Sequence, residues 1–224
     1  MCKHTVEWRK AMGMENLTVL FQYLPFIIAA YLSGSVLYAK IFGKIFANKD
    51  ITQNTKDGNP GVANAFERGG FWCGVFTLVF ELAKGLIPVL CCLKMQYEVN
   101  PSEIGLALVI IAPVAGHIFS LFYGFKGGKG IAVTFGVLLG CYPYITAVVI
   151  LAFFFIFFSL VVRITPHLHR TIGAYAMTAF ALIFVRGQLA IKIGFDVIAL
   201  LVGKRLFDSK EEKENCKVEL LWMR

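Results

Sequence analysis

Apolar residues in this chain come in long blocks separated by short polar stretches, without the two-residue alternation of a half-buried strand. The longest uncharged block, Ile131 to Val162, covers 32 residues, and about 20 suffice for a helix to cross a hydrocarbon core of roughly 30 Å. As one helix it would extend about 48 Å, too long for a bilayer unless steeply tilted. Gly140-Cys141-Tyr142-Pro143 sits near its middle, so the block divides into two helices there. Phe21 to Gly43, Phe71 to Leu93, Ile104 to about Tyr123, Thr171 to Val185 and Ile193 to Gly203 are further apolar segments. The first is interrupted by Pro25 and by the small cluster Ser33-Gly34-Ser35, which lets a neighbouring helix approach closely. The pattern predicts an all-α integral membrane bundle of about seven short transmembrane helices. The number falls to five if the long block is one helix and the last segment does not cross.

Composition agrees with a membrane home. Of 224 residues 58% are hydrophobic and 16% charged, against about 25% charged in a soluble domain. The net charge of +8 lies between apolar blocks and not along one solvated face, which argues against nucleic acid as a partner and leaves membrane lipids as the surroundings. Fifteen basic residues fall on one side of the expected bundle and six on the other, so the rule that cytoplasmic loops carry Lys and Arg puts the N-terminus outside and the C-terminus inside. The same count results from five spans or seven. The organisation expected is an external segment over 1–20, a transmembrane domain over 21–203 and a charged, mobile cytoplasmic tail over 204–224. Met1 to Asn16 carries Lys3, Glu7, Arg9, Lys10 and Glu15, so no cleavable signal peptide is expected and the first span serves for insertion. The six cysteines lack the paired spacing of a zinc site and read as small buried hydrophobes. No metal is expected.

Both glycine-rich loops fall on the expected inner side. Lys56-Asp57-Gly58-Asn59-Pro60-Gly61-Val62-Ala63-Asn64-Ala65-Phe66-Glu67-Arg68 can turn backbone N–H groups inward as an anion nest, although a plain interhelical turn explains Gly-Asn-Pro-Gly as well. Gly124-Phe125-Lys126-Gly127-Gly128-Lys129-Gly130 leads directly into a helix, where unpaired N–H groups, flexible glycines and two lysines suit phosphate. It is not a Walker A loop, since only three residues separate Gly124 from Gly128-Lys129 and Gly130 replaces the Ser or Thr. A basic loop touching anionic head groups is the alternative, but it needs the lysines and not three glycines, so phosphate recognition is the reading preferred. Glu81 and Lys84 are three apart on one helix face at membrane depth, as a structural pair or as substrate contacts. His117 precedes the second loop as a structural residue, a phosphate donor or a base.

Together these residues make the sequence resemble the bacterial acyl-phosphate:glycerol-3-phosphate acyltransferases. Gly34-Ser35-Val36 is similar to the family's Gly-Ser-Ile, and Gly58-Asn59-Pro60-Gly61-Val62-Ala63-Asn64 to its Gly-Asn-x-Gly-x-Thr-Asn. Glu81 with Lys84-Gly85 is similar to its Asp-x-x-Lys-Gly. Most specific is Gly116-His117-Ile118-Phe119 followed by Gly124 through Gly130. The resemblance implies a seven-helix enzyme of the bacterial inner membrane that moves a fatty acyl group from acyl phosphate to the 1-hydroxyl of glycerol 3-phosphate or a related acceptor. No cofactor, metal or acyl carrier is implied. The expected substrate-binding residues are Gly58, Asn59, Gly61, Asn64, Arg68, His117, Lys126, Gly127, Gly128, Lys129 and Gly130, with no catalytic residue assigned. Lys129 is the first choice for a phosphate contact.

The departures fall on the acceptor side. Lys56-Asp57 stands where the family has Gly-Ser, Glu67 where it has Arg, and Ala174 where a serine is expected. The third motif, His-x-x-Asn-Ile-x-Arg-Leu-x-x-Gly, keeps only Leu200 and Gly203, with Ile193, Asp196 and Ala199 at its His, Asn and Arg. Carboxylates at 57, 67 and 196 would repel a dianionic acceptor, and the expectation is poor or no acylation of glycerol 3-phosphate, with an acceptor lacking the phosphate serving as well or better. A non-catalytic or regulatory homologue that binds lipid or acyl phosphates is the alternative, and a small anion transporter a third reading.

Overall fold

The structure is a computed structural model that describes residues 14–53, 55, 58–99, 101–187, 189–208 and 217–220. Ten α-helices occur among them: α1 Met14–Gln22, α2 Leu24–Ser35, α3 Tyr38–Ala47, α4 Val62–Gly69, α5 Phe71–Cys92, α6 Glu103–Ile118, α7 Ile131–Gly140, α8 Thr146–Ile156, α9 His167–Phe184 and α10 Leu189–Phe207. One antiparallel ribbon pairs β1 Val162–Thr165 with β2 Lys217–Leu220. Three helical stretches, Leu24–Ala47, Phe71–Tyr97 and Glu103–Tyr123, are long and apolar enough to cross a membrane, and α7 and α8 are shorter apolar helices. The seven expected segments therefore correspond to α2–α3, α5, α6, α7, α8, α9 and α10. The long apolar block does divide, between Gly140 and Thr146.

Several boundaries differ from the sequence reading. Pro25 does not interrupt the first segment but lies in the first turn of α2, where its missing N–H costs nothing. The break comes at Val36 and Leu37, beyond Ser35. Carbonyls freed inside a membrane segment need other donors: the Val36 carbonyl accepts from Lys84 Nζ at 2.6 Å, and the Ser35 carbonyl from the Ser120 hydroxyl. The last segment starts earlier and ends later than 193–203, because Glu103 Oε2 accepts from the Ala190 amide at 2.6 Å at one end of α10 and the helix runs to Phe207 at the other. The tail is not wholly free, since Lys217–Leu220 pairs with Val162–Thr165. Lys56 and Asp57 lie outside the described residues, as do 1–13.

Helices α2, α5, α6 and α7 pack through glycines at backbone distance. A Cβ added at Gly34 would lie 2.1 Å from the Pro113 carbonyl oxygen, and one at Gly136 2.1 Å from that of Leu82. Such contacts supply the close packing that binds helices where no hydrophobic effect operates between them. Helices α9 and α10 close the bundle through Tyr175 stacked on Phe195, ring centroids 5.6 Å apart. The ribbon puts residues 162–165 on the same face as the chain after α10, and His167 opens on one cavity with Asn59 and Lys129. A single straight helix over the whole 131–162 block would separate those groups, so the division into α7 and α8 is what lets them share the cavity.

Candidate active site

A cavity of about 730 Å³ opens at the loop face. Its polar lining comes from Thr55, Asn59, Asn64, Glu67, Arg68, Glu81, His117, Lys129 and His167, and its apolar lining includes Leu78, Ile131 and Phe135. Seven residues expected from the sequence meet here: Asn59, Gly61, Asn64, Arg68, His117, Lys129 and Gly130. The first loop is held by its own asparagines, with Asn64 Nδ2 donating to the Asn59 carbonyl at 2.8 Å. At its edge, partial burial raises the Asp50 pKa, but the amide and hydroxyl of Thr52 and the nearby Lys40 outweigh that and hold it below the ordinary carboxylate value.

Gly58, Lys126, Gly127 and Gly128 do not line the cavity. Lys126 is exposed. The amides of Gly127 and Gly128 donate instead to the carbonyls of Ile118 and His117 at 3.0 and 3.1 Å. The physical reason is the end of α6, whose last carbonyls lack intrahelical donors. The loop folds back over them, with Phe125 in the left-handed region at φ 60° and its amide bonded to the Ser120 carbonyl at 2.7 Å. Glycine is needed at 127 and 128 for contact: added Cβ atoms would lie 1.7 Å from the His117 carbonyl oxygen and 2.2 Å from His117 Nε2. The backbone donors facing the cavity thus belong to Lys129, Gly130 and the first turn of α7, where the helix start favours an anion.

Below the loops sits a buried polar triad. Glu81, Lys84 and His117 are 1%, 3% and 4% exposed. Lys84 Nζ is 2.8 Å from Glu81 Oε2, and His117 Nδ1 lies 3.1 Å from the same oxygen and 2.9 Å from Lys84 Nζ. Nδ1 accepts from Lys84 or donates to Glu81 according to its tautomer. Lys84 does not reach the cavity, whereas Glu81 and His117 do. Lys84 therefore ties α5 to the broken first segment and balances Glu81. Among the described residues no three His, Cys, Asp or Glu side chains gather as a metal site.

Two residues at the site escaped the sequence reading. Arg205 donates through Nη2 to the Gly127 carbonyl at 2.7 Å and through Nε to that of Gly128 at 3.3 Å, gripping the loop from the last turn of α10. The signal was available, because Lys204-Arg205-Leu206-Phe207 continues a helical segment with cations at its C-terminus. His167 enters the cavity from the start of α9, where Pro166 immediately before it marks a helix start. Asp196 does not line this cavity: it lines a separate apolar groove between α9 and α10. Glu67 lines the cavity but is exposed.

A bundle of apolar helices whose loop-face cavity sets basic side chains beside an apolar wall belongs to the class of membrane proteins with a site suited to an anionic group next to an apolar one. The glycerol-3-phosphate acyltransferase profile matches residues 24–208, and the chain belongs to that family. A glycerol-3-phosphate acyltransferase of Neisseria meningitidis is 34% identical over 192 residues, covering 86% of this chain and 92% of the relative. One from Cupriavidus metallidurans is 32% identical over 190 residues, covering 81% and 94%. The crystal structure of PlsY, an integral membrane glycerol 3-phosphate acyltransferase, in its glycerol 3-phosphate form superposes with a TM-score of 0.69 at 26% identity, covering 82% of this chain and 88% of that one.

Proposed function

We propose that this membrane acyltransferase moves a fatty acyl group from acyl phosphate to the primary hydroxyl of glycerol 3-phosphate at its loop face. The observation that carries the reading is one cavity in which Lys129, Arg68, Asn59 and the start of α7 stand beside Leu78, Ile131 and Phe135. Basic groups and helix N–H donors suit the phosphates, and the apolar wall suits the acyl chain. The donor is already activated. The acceptor oxygen bonds to the acyl carbon, the carbon–oxygen bond to phosphate breaks, and the departing phosphate takes the hydroxyl proton. The protein's part is alignment and stabilisation of charge. Glycerol 3-phosphate is the acceptor supported by the bound form of the similar crystal structure. The placement of Asp196 outside the cavity removes one of three carboxylates expected to repel it. The binding-only alternative is disfavoured because the relatives are acyltransferases.

The test is turnover by purified protein supplied with acyl phosphate and glycerol 3-phosphate, read as monoacylated product and released inorganic phosphate. Product on glycerol 3-phosphate supports the reading, and its absence with every acceptor, neutral polyols included, overturns it. The charge asymmetry supports a loop face on the cytoplasmic side, in the bacterial inner membrane that the acyltransferase reading implies. Cysteine at exposed Lys126, in a protein freed of native cysteines, should react with impermeant thiol reagents from the cytoplasmic side alone. Labelling of intact cells from outside would invert that orientation. Gly127 is unsuitable for such a probe, because its Cβ would meet the His117 carbonyl.

A further inference from the structure

Glu81 is the buried carboxylate of the cavity, and its two oxygens are partnered unequally. Oε2 is held by Lys84 at 2.8 Å and lies 3.1 Å from His117 Nδ1. Both oxygens are buried and neither has a well-formed hydrogen bond among the described residues, but the ion-pair contacts are to Oε2, which leaves Oε1 as the oxygen facing no cation. An ionised carboxylate offers about four lone-pair sites, and a buried acceptor left unpaired calls for an explanation in a ligand or water. Glu81 lies ten residues into α5, about 15 Å along its axis from Phe71. It is thus deeper than the loops that carry Asn59 and Lys129.

A phosphate cannot sit on this oxygen, because like charges in a dry site repel strongly. A hydroxyl can, since it donates one proton and carries no charge. The choice between two hydroxyls follows from the Lys84 pair. A group receiving the proton of the reacting hydroxyl would lose its negative charge and leave Lys84 buried without a counter-charge in every turnover. The hydroxyl that is not acylated makes no such demand. Resting on the acyl-transfer reading above, we infer that Glu81 Oε1 accepts a hydrogen bond from the secondary hydroxyl of the acceptor, making Glu81 the residue that selects a glycerol backbone. The acceptor then enters hydroxyl end first, with its phosphate toward Lys129 and Arg68.

The experiment is equilibrium binding of glycerol 3-phosphate and of 3-hydroxypropyl phosphate, which lacks the secondary hydroxyl, to wild type, Glu81→Gln and Glu81→Asp in detergent. A hydrogen bond to a charged group corresponds to roughly a 10- to 100-fold change in affinity, so wild type should prefer glycerol 3-phosphate by at least about tenfold. Glu81→Gln should bring that ratio within about threefold of unity, and Glu81→Asp, shorter by one methylene, should fall between. Affinity for an unreactive acyl phosphate analogue should change less than about threefold in both variants. Equal binding of the two acceptors by wild type overturns the inference, and that measurement needs no variant to fold. An unchanged ratio in Glu81→Gln, or no binding of either acceptor, also overturns it. Selective binding by a protein that shows no turnover would sustain the role of Glu81 while sinking the acyl-transfer reading.

Discussion

The loop-face half of the bundle and its C-terminal pair of helices are built to different tolerances. Where α2 meets α6 and α5 meets α7, glycines bring backbones together, and a Cβ at Gly116 or Gly136 would stand 2.2 or 2.1 Å from a carbonyl oxygen. Between α9 and α10 an apolar groove remains, and a Cβ at Gly203 would meet nothing within 4 Å. The tight half carries Asn59, Glu81, His117 and Lys129. The looser half reaches the site through His167 and through Arg205, whose contact is with loop backbone. Side chains that must meet across close-packed helices have few substitutes. A grip on backbone carbonyls can come from a neighbouring position, so the C-terminal motif can drift while its mechanical task persists.

The comparison breaks most easily at Lys84. Lys84→Met leaves Glu81 as a buried charge without its cation and the Val36 carbonyl without its donor. The expected loss is about 3–5 kcal/mol of stability, read as a lowered unfolding temperature in detergent, and near wild-type stability would mean that the triad is not a closed electrostatic unit. Next come the glycines. Gly136→Ala should cost about 1–3 kcal/mol by overpacking, whereas Gly203→Ala should be neutral or stabilising by up to about 1 kcal/mol; equal effects would erase the difference between the two halves.

Arg205→Ala, paired with Asp196→Asn, sharpens the claim about the C-terminal helices. Loss of two charge-assisted bonds to the glycine-rich loop over 124–130 should lower kcat/KM about tenfold, while Asp196→Asn should leave the KM for glycerol 3-phosphate within about twofold of wild type. A large gain in acceptor affinity from Asp196→Asn would return that carboxylate to the pocket. The smallest effect is at Asp50, which is partly exposed. Its pKa in the folded protein lies below the unfolded value of about 3.9, so its contribution is present above pH 4 and lost as pH falls through the folded pKa. Asp50→Asn should therefore destabilise by less than about 1 kcal/mol at pH 7 and by progressively less as the pH falls below about 4. A stability difference that grows on acidification would contradict that sign.

The helices were legible because each apolar block is long and its breaks carry Gly or Pro, as at Gly140 to Pro143. Seven of the expected binding residues converge because Gly-Asn-Pro-Gly and Gly-Lys-Gly both sit at helix starts. The roles of Gly127 and Gly128 were not legible, since a glycine that receives a ligand and a glycine that clears His117 look alike in one dimension. Arg205 was hidden by treating Gly203 as a helix end, and the break at Val36 became visible only with Lys84 bonded to its carbonyl. Asp196 shows the limit of motif alignment: position in a degraded motif does not determine which face of α10 a side chain takes.

The central claim is that the loop face still holds an acyl phosphate although the C-terminal motif has changed. Binding of an unreactive acyl phosphate analogue to purified wild type and to Lys129→Ala tests it most directly, with folding of both checked by unfolding temperature. Lys129 is 8% exposed and lines the cavity beside the start of α7. Removing a charged donor of that kind should weaken binding by roughly 10- to 100-fold with little change in stability. An affinity that does not move, in a variant that remains folded, would contradict the assignment of this loop to phosphate.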